Sequence, residues 1–211
     1  MTIDLLEEIS PILPLSCFAV QCKLLHAKNQ PSIKMMRKKF LLPPTSTLLN
    51  ETSFAAVAMA WNEQVIYCDL FFDKPLEPTD KAELFFDTRD LKTMSFTHRF
   101  CHQFLILPQI TNGETSAKEI TVFRTEEAHS LCLAEDIQVH LQDHRSSYLV
   151  RVVIPAYCLH GYDPLQFSRI AINYRLHSKG LLQHFSSACS LTEQHPRYWA
   201  SCELVKGGVF T

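Results

Sequence analysis

Val65-Ile66-Tyr67-Cys68-Asp69-Leu70-Phe71-Phe72 alternates. Ile66, Cys68, Leu70 and Phe72 form an apolar set, with Tyr67 and Asp69 between them. Successive side chains of a β-strand point to opposite faces, so this stretch reads as a strand with one face in a core. The same period of two recurs down the chain. Tyr148, Val150, Val152 and Ile154 oppose Arg151. Ile170, Ile172, Tyr174 and Leu176 oppose Arg169, Asn173 and Arg175, while Phe100, Phe104 and Ile106 oppose Arg99 and Gln103. One apolar and one polar face is the pattern of a half-buried antiparallel sheet.

Working outward, ten segments read as strands: 17–25, 54–61, 65–72, 82–87, 100–107, 119–123, 137–141, 148–154, 169–176 and 198–205. They are short, rich in β-branched and aromatic residues, and bounded by polar or proline-containing breaks. No stretch carries a sustained helical stripe; 5–9 and 126–133 offer a turn or two at most. Ten strands without intervening helices predict an all-β fold, an antiparallel β-sandwich of jelly-roll or immunoglobulin-like type. Residues 26–50, with Lys34, Arg37, Lys38, Lys39 and the Pro43-Pro44 pair, read as a long irregular connection whose basic cluster is a solvated face. Residues 112–118 read as a loop and 143–147 as a turn.

The chain has 211 residues, 46% of them hydrophobic, and that length fits one sandwich domain over 1–211. Twenty basic side chains against 22 acidic ones, a formal charge of -2, give no electrostatic reason to expect nucleic acid or an anionic membrane as partner. No apolar run is long enough to span a bilayer, and the N-terminal stretch, with Asp4, Glu7, Glu8, Pro11 and Pro14, lacks the basic start and unbroken apolar run of a secretory signal. A cytoplasmic location is expected on that basis, with signal-independent export left open. Eight scattered cysteines (17, 22, 68, 101, 132, 158, 189 and 202), several inside strands, read as reduced, mostly buried thiols rather than a disulfide framework.

Three groups of residues carry a family resemblance. The first is Ala60-Trp61-Asn62-Glu63 with the strand that follows. The second runs from Ala82-Glu83-Leu84-Phe85-Phe86-Asp87-Thr88-Arg89-Asp90 to His98-Arg99-Phe100-Cys101-His102-Gln103-Phe104 and Leu107-Pro108. The third comprises 148–155, Gly161-Tyr162-Asp163-Pro164 and Trp199-Ala200-Ser201-Cys202-Glu203-Leu204-Val205. Together they cover about 54–206 and resemble a set of uncharacterised bacterial proteins that look like the family 9 carbohydrate-binding module, within the DOMON-like sandwiches. The resemblance implies a β-sandwich with a ligand surface on one sheet, where aromatic side chains stack on sugar rings and polar ones bond to hydroxyls. The resemblance extends to domains with calcium and haem sites, but no cluster of oxygen ligands and no Met/His spacing for either is traceable in the chain.

The candidate ligand surface is therefore Trp61, Asp87, Arg89, Arg99, Gln103, Arg151, Asn173 and Arg175, with Asp69 on the same expected face. Each has a bland alternative. Asp87 can hold a turn with Arg89 paired back to it, and Trp61 and Trp199 can be core side chains at strand ends. His98 and His102 fall on one strand face with Cys101 on the other, so no metal site is expected there. No Gly-x-Ser-x-Gly element and no glycine-rich phosphate loop is present, and no cofactor is expected. The resulting expectation is a non-catalytic module for a carbohydrate or other polar small molecule. A sandwich that binds another protein, or serves a structural role, is the alternative.

Overall fold

A computed structural model describes residues 19–108, 116–188 and 191–206. The strands are β1 (Gln21–His26), β2 (Ala55–Trp61), β3 (Val65–Phe72), β4 (Lys81–Asp87), β5 (Cys101–Leu107), β6 (Ser116–Glu119), β7 (Gln138–His144), β8 (Ser147–Pro155), β9 (Arg169–Ser178), β10 (Leu181–His184) and β11 (Ala200–Val205). Among the described residues a single helix, α1 (Ile33–Lys39), is joined by five short 3-10 turns.

All eleven strands belong to one hydrogen-bonded sheet, ordered β6-β5-β4-β9-β11-β1-β2-β3-β8-β7, with β10 paired to β9. The sheet is mixed rather than wholly antiparallel, because β1 runs parallel to both β11 and β2. Period-two patterning reports which side chains face inward and carries no information on strand direction, so this difference lay outside its reach. The sheet curls around one core. Ile66, Cys68, Leu70 and Phe72 of β3 cluster with Val150, Val152 and Ile154 of β8, Leu84 and Phe86 of β4, Phe104 and Ile106 of β5, and Ile170, Ile172 and Tyr174 of β9. For β3, β5, β8 and β9 these are the apolar residues that alternation assigns inward.

The opposite face is not the open polar wall that alternation implies. Over β2, β3 and β8 it is oily and capped by α1, whose Met36 and Phe40 pack on Ala58, Ala60, Tyr67, Phe71, Leu149 and Val153. Ile33, Met36 and Phe40 lie on one helical side, Ser32 caps the N-terminus by accepting from Met35 N at 3.3 Å, and Arg37, Lys38 and Lys39 fill the last turn, where cations suit the helix dipole. The basic cluster is thus the outer side of a helix in a segment expected to be irregular. Over β4, β5 and β9 the outer face is closed by the segment before β11, with Trp199 packed on Phe85, Cys101 and Ala171.

Three further segments differ from expectation. The strand expected at 119–123 lies at Ser116–Glu119, so Lys118 is a strand residue. Residues 126–133 carry no helix. β10 is added through a two-residue turn at Lys179 and Gly180, both with positive φ (48° and 78°), the twist a tight hairpin needs. The expected helix at 5–9, Cys17 and Cys189 lie outside the described residues. The six described cysteines are all free thiols. No helix among the described residues is long and apolar enough to cross a membrane.

Candidate functional site

The expected single polar surface divides into two sets on separate parts of the sheet, and a third set gathers at its rim. On the α1 side, Asp69 and Arg151 face each other across β3 and β8 and form a forked pair (Nε–Oδ1 2.7 Å, Nη2–Oδ2 2.6 Å), with Asp69 fully buried. Five strands away, Glu83 accepts from Gln103 Nε2 at 3.0 Å, from His177 at 3.1 Å and from Arg175, whose other nitrogen meets Glu193 at 3.0 Å. Burial alone would raise the Glu83 pKa, yet its His177 and Arg175 partners outweigh it and hold the carboxyl at about 2. Asn173, buried beside this network, accepts from Phe185 N and Ser186 N at 3.2 and 3.0 Å and so fixes the chain after β10. Both sets bond within the protein: the first ties β3 to β8, and the second ties β4, β5 and β9 to one another and, through Glu193, to the segment before β11.

Neither tryptophan offers a free ring. Trp61 is 1% exposed, and its indole donates to Leu24 O at 2.7 Å. Trp199 is 2% exposed and donates to Thr192 O at 2.9 Å.

Arg89 and Arg99 lie together. At the end of β4, Asp87 accepts from the backbone N–H groups of Arg89 (2.9 Å) and Leu91 (2.7 Å), an Asx-type turn that aims Arg89 across the rim. Asp87 therefore holds the loop, while Arg89 presents its guanidinium. That guanidinium lies 3.6 Å from the Phe167 ring centre and 5.0 Å from that of Phe100, and it donates to Gly161 O. Arg99 sits 4.8 Å from the same Phe100 ring, with Nε 3.2 Å from Glu127 in an ion pair that lacks hydrogen-bond alignment. The exposed His160 ring stacks on Phe100 at 5.6 Å and 15°. Burial lowers the pKa of Arg89, opposed by the charges of Asp163 and Asp87. Its ordinary value is high enough that it remains a cation.

Gly161 makes this packing feasible. Its φ is +80°, and a Cβ there would lie 2.6 Å from Phe100 Cδ1 and 3.0 Å from Thr88 Oγ1. The three motifs Asp87-Thr88-Arg89, His98-Arg99-Phe100 and Gly161-Tyr162-Asp163 thus meet at one rim, formed by the β4–β5 and β8–β9 connections. The rim offers the partly exposed Phe167 ring (37%) beside two guanidiniums, and the same connection carries Tyr157 and Leu165, each over 70% exposed. Sequence reasoning placed Arg89 and Arg99 but not Phe100, which it assigned to the core set, nor His160 and Phe167. The latter two lie in a connection with no periodicity to read.

Shallow hollows lie elsewhere, one bordered by Gln21, Cys22, Lys23, Arg169, Ser201 and Glu203 and one at the β9–β10 turn. Neither is lined by Phe, Tyr or Trp, so neither has a ring of that kind to stack against a ligand.

Next to the rim, under His160, lies a buried polar cluster. Glu119 Oε1 is 2.8 Å from His102 Nδ1, 3.0 Å from His129 Nε2 and 2.8 Å from Thr121 Oγ1, while Oε2 accepts from Cys132 N at 2.8 Å. Burial lowers the His102 pKa against the pull of Glu119. Burial opposes ionisation of Glu119 too, but its two histidine partners hold it at about 2. Two other groupings have the residue types of a metal site: Asp87, His98 and Cys101, and Cys132, Asp136 and Cys158. His98 Nδ1 accepts from Phe100 N at 3.3 Å, so its Nε2 carries the proton and faces Cys101 Sγ (3.4 Å) and Asp87 (3.6 Å) as a donor. On the sequence, His98 stood on the His102 side of a strand. The strand begins only at Cys101, and His98 turns back to meet that thiol.

No family model matches the chain, and no curated protein matches it in sequence. Among solved structures, it is similar to a family 9 carbohydrate-binding module from Caldicellulosiruptor kristjanssonii in complex with cellotriose (TM-score 0.63, 10% identity, 90% of this chain and 95% of that one). It is also similar to a family 9 module from the same organism in complex with glucose (TM-score 0.59, 10% identity, 92% and 98%). The chain has a fold like that of family 9 carbohydrate-binding modules.

Proposed function

We propose, from that shared fold, that the protein is a non-catalytic module of one domain, a curled two-layered sandwich, which binds a carbohydrate or another polar small molecule at the Arg89–Arg99–Phe100 rim. The observation that carries the reading is the placement of two guanidiniums and partly exposed rings around one supported phenylalanine. Rings supply a flat apolar face for a sugar, and guanidiniums supply forked donors for its oxygens. The solved modules of like fold are complexes with cellotriose and glucose, which favours a saccharide ligand. Asp69, Gln103, Arg151, Asn173 and Arg175 then serve the scaffold, and Asp87 positions Arg89.

Arg99 separates ligand contact from stability, because its side chain is 44% exposed and its partner Glu127 is 66% exposed. Titration calorimetry with a panel of neutral and acidic mono- and oligosaccharides should find a ligand. Arg99→Ala should weaken that ligand by about 10–100-fold, the worth of a hydrogen bond to a charged group, with little change in unfolding. Silence across the panel, or a ligand that Arg99→Ala leaves untouched, defeats the proposal.

A second reading, a protein-interaction surface, is favoured by the exposure of Tyr157 and Leu165 on the β8–β9 connection. It requires association on a sizing column that Tyr157→Ser and Leu165→Ser abolish.

A further inference from the structure

Both histidines that meet Glu119 are oriented from behind by a backbone carbonyl. His129 Nδ1 lies 2.6 Å from Arg99 O, and His102 Nε2 lies 3.4 Å from His160 O. A carbonyl oxygen can only accept, so each ring places its N–H at that outer contact. In a neutral imidazole the other nitrogen then carries a lone pair. Those other nitrogens, His102 Nδ1 and His129 Nε2, both point at one carboxylate oxygen, Glu119 Oε1, at 2.8 and 3.0 Å. Two lone pairs and a carboxylate converge in a site where the side chains are 0%, 4% and 0% exposed for His102, His129 and Glu119. Such an arrangement repels itself unless positive charge, from an extra proton on the rings or from a bound cation, lies at its centre.

The geometry points to a divalent transition-metal site, with zinc as its occupant, formed by His102 Nδ1, His129 Nε2 and the Glu119 carboxylate. Two imidazoles and a carboxylate are a usual zinc donor set. A carbonyl on the far nitrogen of each ligating histidine is the usual outer-shell support, fixing tautomer and ring orientation. Thr121 Oγ1 and Cys132 N, both bonded to Glu119, fix the carboxylate in the same way. Tetrahedral ligands at about 2.0 Å from zinc lie roughly 3.3 Å apart, so the two Glu119–histidine contacts, at 2.8 and 3.0 Å, need to open by only a few tenths of an ångström, and all three ligand atoms already lie within 4.8 Å of one another. Two nitrogen donors disfavour calcium and magnesium, which take oxygen. Of the other groupings, His98 presents a proton rather than a lone pair. In the third, the Cys132 thiol donates to Leu133 O at 3.3 Å and Asp136 accepts from Tyr157.

The three ligands come from β5, the end of β6 and the β6–β7 connection, so a bound ion ties that connection to the sheet directly behind Arg99 and His160. This inference is independent of the saccharide reading, and each can fail without the other.

The test uses the whole chain, stripped of metal with a chelator that is then removed. Calorimetric titration with zinc chloride should show one equivalent bound, and calcium chloride none. Cobalt(II) should give visible d–d bands without the near-ultraviolet band of thiolate ligation. His129→Ala should weaken zinc by more than the roughly 10–100-fold that loss of an outer-shell partner costs. Cys132→Ser should leave zinc binding in place. Absence of stoichiometric zinc binding by the wild-type chain overturns the proposal. So does a thiolate band that Cys132→Ser removes, since the ion would then sit at the cysteine grouping. The wild-type titration and cobalt spectrum decide the matter even if a variant fails to fold.

Discussion

Replacing Gly161 by alanine tests how the rim is built. Two effects add there. A side chain at φ +80° is strained, by about 1–2 kcal/mol in the left-handed region. The new Cβ also falls 2.6 and 2.9 Å from Phe100 Cδ1 and Cε1 and 3.0 Å from Thr88 Oγ1. The ring has little room to yield, since Arg89 and His160 lie against it. Forcing extra volume into a packed place costs about 1–3 kcal/mol. Gly161→Ala should therefore lose about 2–5 kcal/mol. Gly180 is the control: its φ is +78°, but nothing lies within 4 Å of its added Cβ, so Gly180→Ala should show the backbone cost alone, about 1–2 kcal/mol. Urea unfolding of the wild type and both variants measures the two losses at a common slope. If the two variants lose the same stability within about 0.5 kcal/mol, Phe100 does not rest on Gly161 and the rim is not assembled as described.

The other expectations concern the scaffold. Asp69→Ala strands the Arg151 guanidinium and should cost about 3–5 kcal/mol, and adding Arg151→Ala to it should cost far less than the sum of the two single losses in a double-mutant cycle. Trp61→Phe leaves Leu24 O without its indole donor and should cost about 1–3 kcal/mol, with saccharide affinity unchanged by calorimetry. Glu83 titrates lower in the folded chain (about 2) than its ordinary 4.5. Its stabilisation is therefore complete above 4.5 and is lost as pH falls through 2. Between those two values Glu83→Gln should lose less stability than the wild type does, measured by urea unfolding at stepped pH; an identical slope contradicts the assignment.

Much of the core was legible because alternation in β3, β8 and β9 reports inward-facing residues directly. What alternation cannot report is what covers the other face. Asp69 and Arg151 were correctly set opposite Leu70 and Val150, yet a polar residue on the far face is exposed only if nothing packs there, and α1 does. That helix was hidden because its apolar side is just Ile33, Met36 and Phe40 amid four basic residues, although Ser32 as N-cap was a readable sign. Likewise, Lys179-Gly180 between two short apolar runs signalled the β9–β10 hairpin. Arg89 was singled out from the Asp87-Thr88-Arg89-Asp90 motif at a strand end, outside the alternating pattern, and Arg99 from its place opposite Phe100 within it. The grouping of His102 with Glu119 and His129 was not legible, since it joins β5, β6 and a loop through long-range pairing that no local spacing encodes.

Amide chemical-shift mapping during titration with the saccharide that binds addresses the location of the site most directly. Shifts confined to 88–100 and 156–168 are the expected result. Shifts centred on Asp69 and Arg151, or on Glu83 and Arg175, with the rim silent, would contradict it.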